Sequence, residues 1–331
     1  MRANIRQLAV VLAVLSVALV QAMAQNAISA RSGMVHYVEG DVALADKAVE
    51  SKFGQFPEVK ENQVLRTGEG RAEILLSPGA FLRMDENAAV RMITNRLIDT
   101  RVAVERGTVM VEVLELLKDN HVSLVAKDST VSLRKNGLYR IDAGAGTVRV
   151  YEGEAVVERG QDRLTLKSAR ETSLGGVLMA QKFNNKLGDS LYRWGKRRSE
   201  YVAMANLSGS RMVRDRGGWS SSGWYWNPYF GMFTYVPYRG VLYSPYGYSF
   251  WSPRDVMRVY EPRRTDSAMA GGGGGSGYNS ALGYNTASRS SGAYSAPAAS
   301  SSPGSAPAAA ASPRAADSAT PRGGDSGSRG R

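Results

Sequence analysis

Between Gly33 and Leu174 the chain is cut into short runs that alternate apolar with polar residues, each closed by Gly, Asn, Asp or Ser before a helix could complete itself. The clearest runs are Val35–Val38, Ala72–Leu76, Phe81–Met84, Ala89–Ile93, Arg101–Val104, Thr108–Val113, Thr130–Leu133, Leu138–Asp142, Val148–Tyr151 and Ala155–Glu158. Their period is two: Val109, Val111 and Val113 share one face and Thr108, Met110 and Glu112 the other, the pattern of a strand. Turn signals recur at Glu39-Gly40-Asp41, Thr67-Gly68-Glu69-Gly70, Ser77-Pro78-Gly79, Lys135-Asn136-Gly137 and Glu152-Gly153-Glu154. Strands spaced this closely leave no room for helical crossovers, so the expectation for 33–174 is a mainly β domain, a solenoid or a sandwich of short strands.

Two further features limit how such a domain is held together. The sequence has no cysteine, which excludes disulfides, thiol nucleophiles and thiolate metal sites. It has two histidines, His36 and His121, each within strand-like neighbours, a poor supply for a metal centre or a Ser/His/Asp triad. Asp85 with Glu86, and Glu39 with Asp41, are the nearest approach to an acid–base pair, and both sit at turns or strand ends where solvated carboxylates are ordinary. No catalytic residue, metal or cofactor is therefore expected.

At the start of the chain, Arg2 and Arg6 precede an apolar run from Leu8 to Val20, followed by Ala22-Met23-Ala24. This is the layout of a secretory signal peptide over residues 1–24, cleaved after Ala24, which places the mature protein in the periplasm or outside the cell. An uncleaved inner-membrane anchor is the other reading, for which the apolar run is short.

The blocks Val38-Glu39-Gly40-Asp41-Val42, Leu65-Arg66-Thr67-Gly68, Arg71-Ala72-Glu73-Ile74-Leu75-Leu76, Pro78-Gly79-Ala80-Phe81-Leu82-Arg83-Met84 and Val104-Glu105-Arg106-Gly107-Thr108-Val109 follow one another in order. Together with Val148-Arg149-Val150-Tyr151-Glu152-Gly153-Glu154-Ala155-Val156-Val157, this succession resembles the FecR domain. The resemblance implies an extracytoplasmic, solenoid-like β module, named for membrane regulators of iron-transport signalling in which a cytoplasmic segment controls a sigma factor. Only Met1 to Gln7 precede the apolar run, so the expectation is that the module's fold and interaction role carry over and the anti-sigma role does not.

Past Leu174 the composition changes. Of the formal net charge of +12, much lies in Lys182, Lys186, Arg193, Lys196, Arg197, Arg198, Arg211, Arg214 and Arg216, opposed there by Asp189, Glu200 and Asp215. Such a patch attracts anions, and without a nucleic-acid-binding signature the expected targets are anionic envelope polymers or lipid headgroups rather than nucleic acid. Within 184–208, Leu187, Leu191, Trp194, Arg198 and Val202 fall at helical spacing, with Asp189 placed to cap and Gly209 to terminate. The prediction is an amphipathic helix over Leu191–Asn206, with Arg193, Lys196 and Arg197 on its polar face, packed on its own domain or lying on a membrane surface.

Residues 219–262 are crowded with Trp and Tyr and interrupted by Asn227-Pro228, Val236-Pro237, Ser244-Pro245 and Ser252-Pro253. Frequent proline forbids a long helix or central strand, so short hairpins are expected, their rings displayed to bind glycans or partners, or docked on the β domain over one of its edges. The residues expected to make contacts are Trp224, Trp226, Tyr229, Tyr235, Trp251, Arg197 and Arg198. Residues 266–331, rich in Gly, Ser, Ala and Pro, are expected to be a disordered tail. The sequence thus points to a non-enzymatic binding or scaffolding protein of the bacterial envelope, with a FecR-type signalling regulator as the alternative.

Overall fold

A computed structural model describes residues 32–50 and 52–259. The expected leader (1–24), the expected disordered tail (266–331) and the last residues of the aromatic segment, 260–262, lie outside the described residues. Among the described residues no helix is long and apolar enough to cross a membrane.

The fold is mainly β. Fifteen strands form one hydrogen-bonded sheet: β1 (Met34–Leu44), β2 (Lys47–Ala48), β3 (Val64–Leu75), β4 (Ala80–Met84), β5 (Ala89–Arg96), β6 (Asp99–Arg106), β7 (Thr108–Val113) and β8 (His121–Ala126), followed by β9 (Ser129–Leu133), β10 (Gly137–Asp142), β11 (Thr147–Glu152), β12 (Glu154–Arg159), β13 (Asp162–Lys167), β14 (Arg170–Ser173) and β15 (Gln181–Lys182). Each alternating run named above falls in one of these strands, with Leu76 alone just past the end of β3. Strands β2, β8, β13, β14 and β15 were not among those runs; β13 is mostly exposed and polar, so it carries little alternation to read.

The sheet folds over on itself. In order across it, β13-β12-β9-β8-β6-β5 lies on one side of β3 and β4-β7-β10-β11-β14-β15 on the other. Apolar residues from both halves, including Leu65, Ile74, Leu82, Val90, Val104, Val111, Leu124, Ile141 and Val157, meet in a single buried core. A sheet face becomes one core only if its two halves lie against each other, so the architecture is a two-layer sandwich. The chain winds it in turns: β5–β6, β8–β9 and β12–β13 enter one layer, while β4, β7, β10–β11 and β14–β15 enter the other. This alternation is the solenoid-like element of the expected fold. All pairings are antiparallel except β6 with β8.

The long β1–β3 hairpin carries the chain between layers. Residues Val64–Arg66 of β3 pair with β5, and Ala72–Leu75 with β4, and the register of β1 on β3 shifts between Gly40 and Val42. At this bend Gly40 adopts φ +68, and a Cβ there would lie 2.2 Å from the Glu69 carbonyl oxygen. Only glycine fits, because the two backbones approach too closely for any side chain.

The outer face of the β4-containing layer is covered by α1 (Ser190–Arg216) and two hairpins, β16 (Gly223–Asn227) with β17 (Met232–Val236) and β18 (Val241–Tyr243) with β19 (Ser249–Trp251). Asp189 caps α1, its side chain accepting the Tyr192 N–H at 2.9 Å. The helix runs a further ten residues beyond the predicted end at Asn206. Gly209 does not terminate it: this glycine is buried, and a Cβ would come within 3.1 Å of Tyr225 and 3.3 Å of Thr234, so its smallness lets β16 and β17 approach. The left-handed C-cap is Gly217, at φ 71, whose N–H returns to Val213 and Arg214. Leu187, read as part of the helical stripe, precedes α1 and is exposed.

Asn206 binds these pieces together. Its amide nitrogen donates to the carbonyls of Tyr235 (2.8 Å) and Trp251 (3.1 Å), and its oxygen accepts from the Trp251 N–H (2.7 Å). One buried side chain thereby supplies hydrogen bonds to the backbones of both hairpins, which burial would otherwise leave unpaired.

Candidate functional site

Alternation in β3, β4 and β7 directs Glu73, Arg83 and Glu112 to the face opposite the sandwich core. On a bare sheet that face would be wet; here α1 and the β18–β19 hairpin cover it, and all three side chains have no solvent exposure. They survive burial by pairing. Arg83 Nε donates to Glu73 Oε2 at 2.8 Å and Nη1 to Glu112 Oε2 at 2.7 Å. From α1, Arg198 donates to Glu73 Oε1 through Nη2 (2.9 Å) and Nε (3.3 Å). Ser199 donates to Glu112 Oε1 at 2.8 Å, and Ser244 contacts the same oxygen. Two carboxylates and two guanidiniums therefore form a chain, Arg198–Glu73–Arg83–Glu112, that spans the boundary between sheet and helix.

His36 completes the cluster, its Nδ1 lying 2.8 Å from Glu73 Oε1. Burial lowers its pKa, an effect that the neighbouring carboxylate only partly offsets, so the ring is neutral and Nδ1 donates. Burial by itself would raise the pKa of Glu73, but Arg198 and Arg83, with the His36 hydrogen bond, outweigh it and hold the carboxyl well below the usual carboxylate range. Charge therefore balances within the cluster without a bound ion.

Beside this cluster lies a cleft of about 320 Å³, bounded by β1, by the connection between β2 and β3, by α1 and by the start of β17. Val35 to Val38 line one wall and Phe56 and Pro57 the other, with Arg198, Tyr201 and Phe230 at the side. The Arg198 guanidinium carbon sits 4.0 Å from the centre of the Tyr37 ring, a cation–π contact that helps to fix it. Phe56 packs edge-on against Trp226 (5.6 Å) and Phe233 (5.2 Å), and Phe53 against Trp226 (6.1 Å). At the mouth Phe53 is 77% and Tyr201 57% exposed, unusual values for large rings at a concave surface.

The residues expected from the sequence to make contacts separate into two groups. Trp224 and Tyr235 are buried, stacked edge-on at 5.7 Å beneath α1 with Phe81 beside Trp224. They cannot meet a ligand; they dock the hairpin on the sheet. Trp251 is half-buried, its backbone held by Asn206. Arg198 is also taken inward, because the alternative to pairing Glu73 would be an uncompensated charge. Trp226, half-buried, belongs to the ring group at the cleft. Tyr229 is 81% exposed in the turn next to Phe230, and Arg197 is exposed one helical turn before Tyr201.

Sequence reasoning did not single out Phe53, Phe56, Tyr201, Glu73, Arg83 or Glu112. The last three were visible as charges on alternating strands, but nothing local showed that their face is covered. Three of the four carboxylates weighed as acid–base candidates gather around one cation, Arg71 pairing with Asp85 (3.0 Å), Glu86 (2.8 Å) and Glu39 (3.8 Å), while Asp41 is exposed at the bend beside Gly40. Among the described residues no group of three or more His, Asp or Glu side chains is gathered as a metal ion requires.

No family model matches the chain, and no curated protein matches its sequence. Among solved structures it is similar to two crystal structures of a candidate anti-sigma factor from Parabacteroides distasonis ATCC 8503, at 13% and 12% identity and a TM-score of 0.33 in each case. The match covers 37% of this chain and 61% of that one, so the chain spans less than two thirds of the protein it resembles.

Proposed function

We propose that this protein is a non-enzymatic recognition module of the bacterial envelope that binds another protein in the cleft beside β1 and relays its occupancy as a regulatory signal. The cleft carries this reading: large rings are left exposed at its mouth while the ionisable groups behind it are locked to one another. Arg83 pairs with Glu73 and Glu112 within the cluster, and of the ionisable groups that line the cleft, His36 and Arg198 are bound to Glu73 and Lys52 to Glu50. Such an arrangement holds a surface rigid and offers it for contact. The signalling half of the reading rests on the succession of FecR-like blocks, which includes the bend at Gly40 and the strands that build the cluster.

The test is to place a photo-crosslinking benzoyl-phenylalanine at Tyr201 in cells, with a control at the exposed Arg101 of the opposite layer. Discrete protein adducts from position 201 and none from 101 are expected. Adducts absent from both positions, or equal at both, would refute the reading. Export is tested in the same cells by sequencing the mature amino terminus: Gln25 is the expected first residue, whereas an intact leader found in membranes would replace the released module with an anchored one.

A scaffolding role on anionic envelope polymers or a membrane surface is the second reading, favoured by the exposed cations Arg193, Lys196 and Arg197 along α1. Retention on purified peptidoglycan or anionic vesicles that is lost on replacing these three by Gln would support it.

A further inference from the structure

The layer that carries β6, β8, β9 and β12 faces away from α1, and on its outer side lies a groove of about 450 Å³. Strand register lays out its floor. Arg101 of β6 lies beside Ser123 of β8, and Ser123 beside Ser132 of β9, so one row of side chains crosses three strands on the face opposite the core. In the next row Asp99 lies beside His121, and Arg134 follows two residues past Ser132. Thr130 lies two residues from Ser132 in the other direction. All of these residues line the groove.

Its polar groups are left without partners. Ser123 is 7% exposed, yet among the described residues its hydroxyl makes no hydrogen bond, and neither do those of Ser132 and Thr130. A hydroxyl so nearly enclosed ordinarily finds a partner; the space this one opens on is the groove. Charge on the same face is unequally matched. Arg91 holds Glu105 at 2.7 Å, Lys135 holds Glu154 at 3.1 Å and Arg163 holds Glu158 at 3.5 Å. Arg101 and Arg134 enter no ion pair among the described residues. Against them stands Asp99, which the exposed Arg96 faces directly across β5 and β6. The field over the groove therefore favours an anion.

Strands spaced ~4.8 Å apart, with a rise of ~3.3 Å per residue, put the Cα atoms of Arg101 and Arg134 about 12 Å apart with Ser123 between them. Two arginine side chains extended toward each other close that span around one acidic group, and the guanidinium fork matches the oxygens of a carboxylate or a phosphate. The three hydroxyls both donate and accept, which suits the hydroxyls of a sugar. We propose that this groove binds a small anionic sugar, its carboxylate or phosphate held between Arg101 and Arg134 and its hydroxyls bonded to Ser123, Ser132 and Thr130. The site lies on the layer opposite the cleft and does not depend on protein binding there. A sugar-sized occupant leaves no protein adduct at position 101.

Calorimetric titration of the full chain with glucuronate, glucose 6-phosphate, glucose and inorganic phosphate tests the site. At least one of the two acidic sugars should bind ~10-fold or more tightly than glucose, which lacks the acid, and than inorganic phosphate, which lacks the sugar hydroxyls. The tighter of the two assigns the acidic group. Arg101→Gln and Arg134→Gln, both at exposed positions, should keep the parent's urea midpoint and weaken that binding ~10-fold each, and Ser123→Ala should weaken it ~5-fold. Arg197→Gln, on α1, should leave it unchanged. Amides within 121–134 should gain hydrogen-exchange protection when the tighter sugar is bound. Inorganic phosphate binding as tightly as the acidic sugars would reduce the groove to an adventitious ion site. Glucose binding as tightly, no binding by either acidic sugar, or binding that survives both arginine substitutions would each overturn the proposal.

Discussion

Glu73 and Arg83 face each other directly across β3 and β4, joined at 2.8 Å, and neither side chain is reached by solvent. The pair lies at the centre of a four-member chain of alternating charge between sheet and helix, so each charge depends on its neighbours for compensation.

Removing one member should therefore cost more than any single hydrogen bond. Arg83→Met leaves Glu73 short of one partner and Glu112 without a charged one, and is expected to destabilise the fold by about 3–5 kcal/mol. Arg197→Met, on the exposed side of α1 one residue before the cluster's Arg198, should stay within about 0.5 kcal/mol of the parent. Urea unfolding of the two variants measures the contrast, and similar midpoints would show that the cluster is not buried as described.

Acid should act on this cluster in two steps. In the unfolded chain His36 takes up a proton near its ordinary value of 6.5, while in the fold burial lowers its pKa. Its contribution is complete above about pH 6.5 and is lost as pH falls below it, by at most ~1.4 kcal/mol per pH unit. Glu73, whose pKa is held well below 4.5 in the fold, contributes fully above that value and loses its contribution as pH falls further. Urea midpoints measured from pH 8 to 3 should decline in both ranges, and His36→Gln should flatten only the upper one. A stability that rises on acidification from pH 6.5 would contradict the neutral buried ring.

Two glycines with positive φ should respond unequally to alanine. Gly217 caps α1 at φ 71 with open space around it, so Gly217→Ala should cost about 1–2 kcal/mol from backbone strain alone. Gly40→Ala adds a Cβ only 2.2 Å from the Glu69 carbonyl oxygen at the point where the hairpin changes layers, and about 3 kcal/mol or more is expected. Thermal unfolding distinguishes them; equal losses would mean that the bend relaxes freely.

Asn206 offers a test of how the aromatic hairpins are held. Asn206→Leu strands the Trp251 N–H and the Tyr235 carbonyl in a buried interface and should cost about 2–4 kcal/mol. The hairpins should loosen before the sandwich unfolds, so near-ultraviolet circular dichroism from the tryptophans should fall at lower urea than the far-ultraviolet strand signal. Coincident loss of both would show that hairpins and sandwich unfold as one unit.

Period-two alternation in runs such as Thr108–Val113 was enough to establish a mainly β domain, because strand geometry sends successive side chains to opposite faces wherever the strand is placed. Asp189 likewise announced the helix start, a local hydrogen bond that needs no distant partner. The glycine signals were ambiguous on the same grounds: Gly209 and Gly217 both look like terminators in a local window, and only the approach of Tyr225 and Thr234 distinguishes a packing glycine from a cap. Trp224 and Trp226 differ even less in sequence, yet one is buried under α1 and the other stands at the cleft.

What the sequence determined by itself, then, was the class of element at each place, since dihedral preference, alternation and capping act within a few residues. Which face of each element meets water was decided only when the sheet folded over at Gly40 and α1 came to rest on one layer. That step buried Glu73, Arg83 and Glu112 and drew Arg198 in to balance them. Burial and charge compensation are properties of surfaces brought together across long stretches of chain, and no local pattern encodes which surfaces will meet.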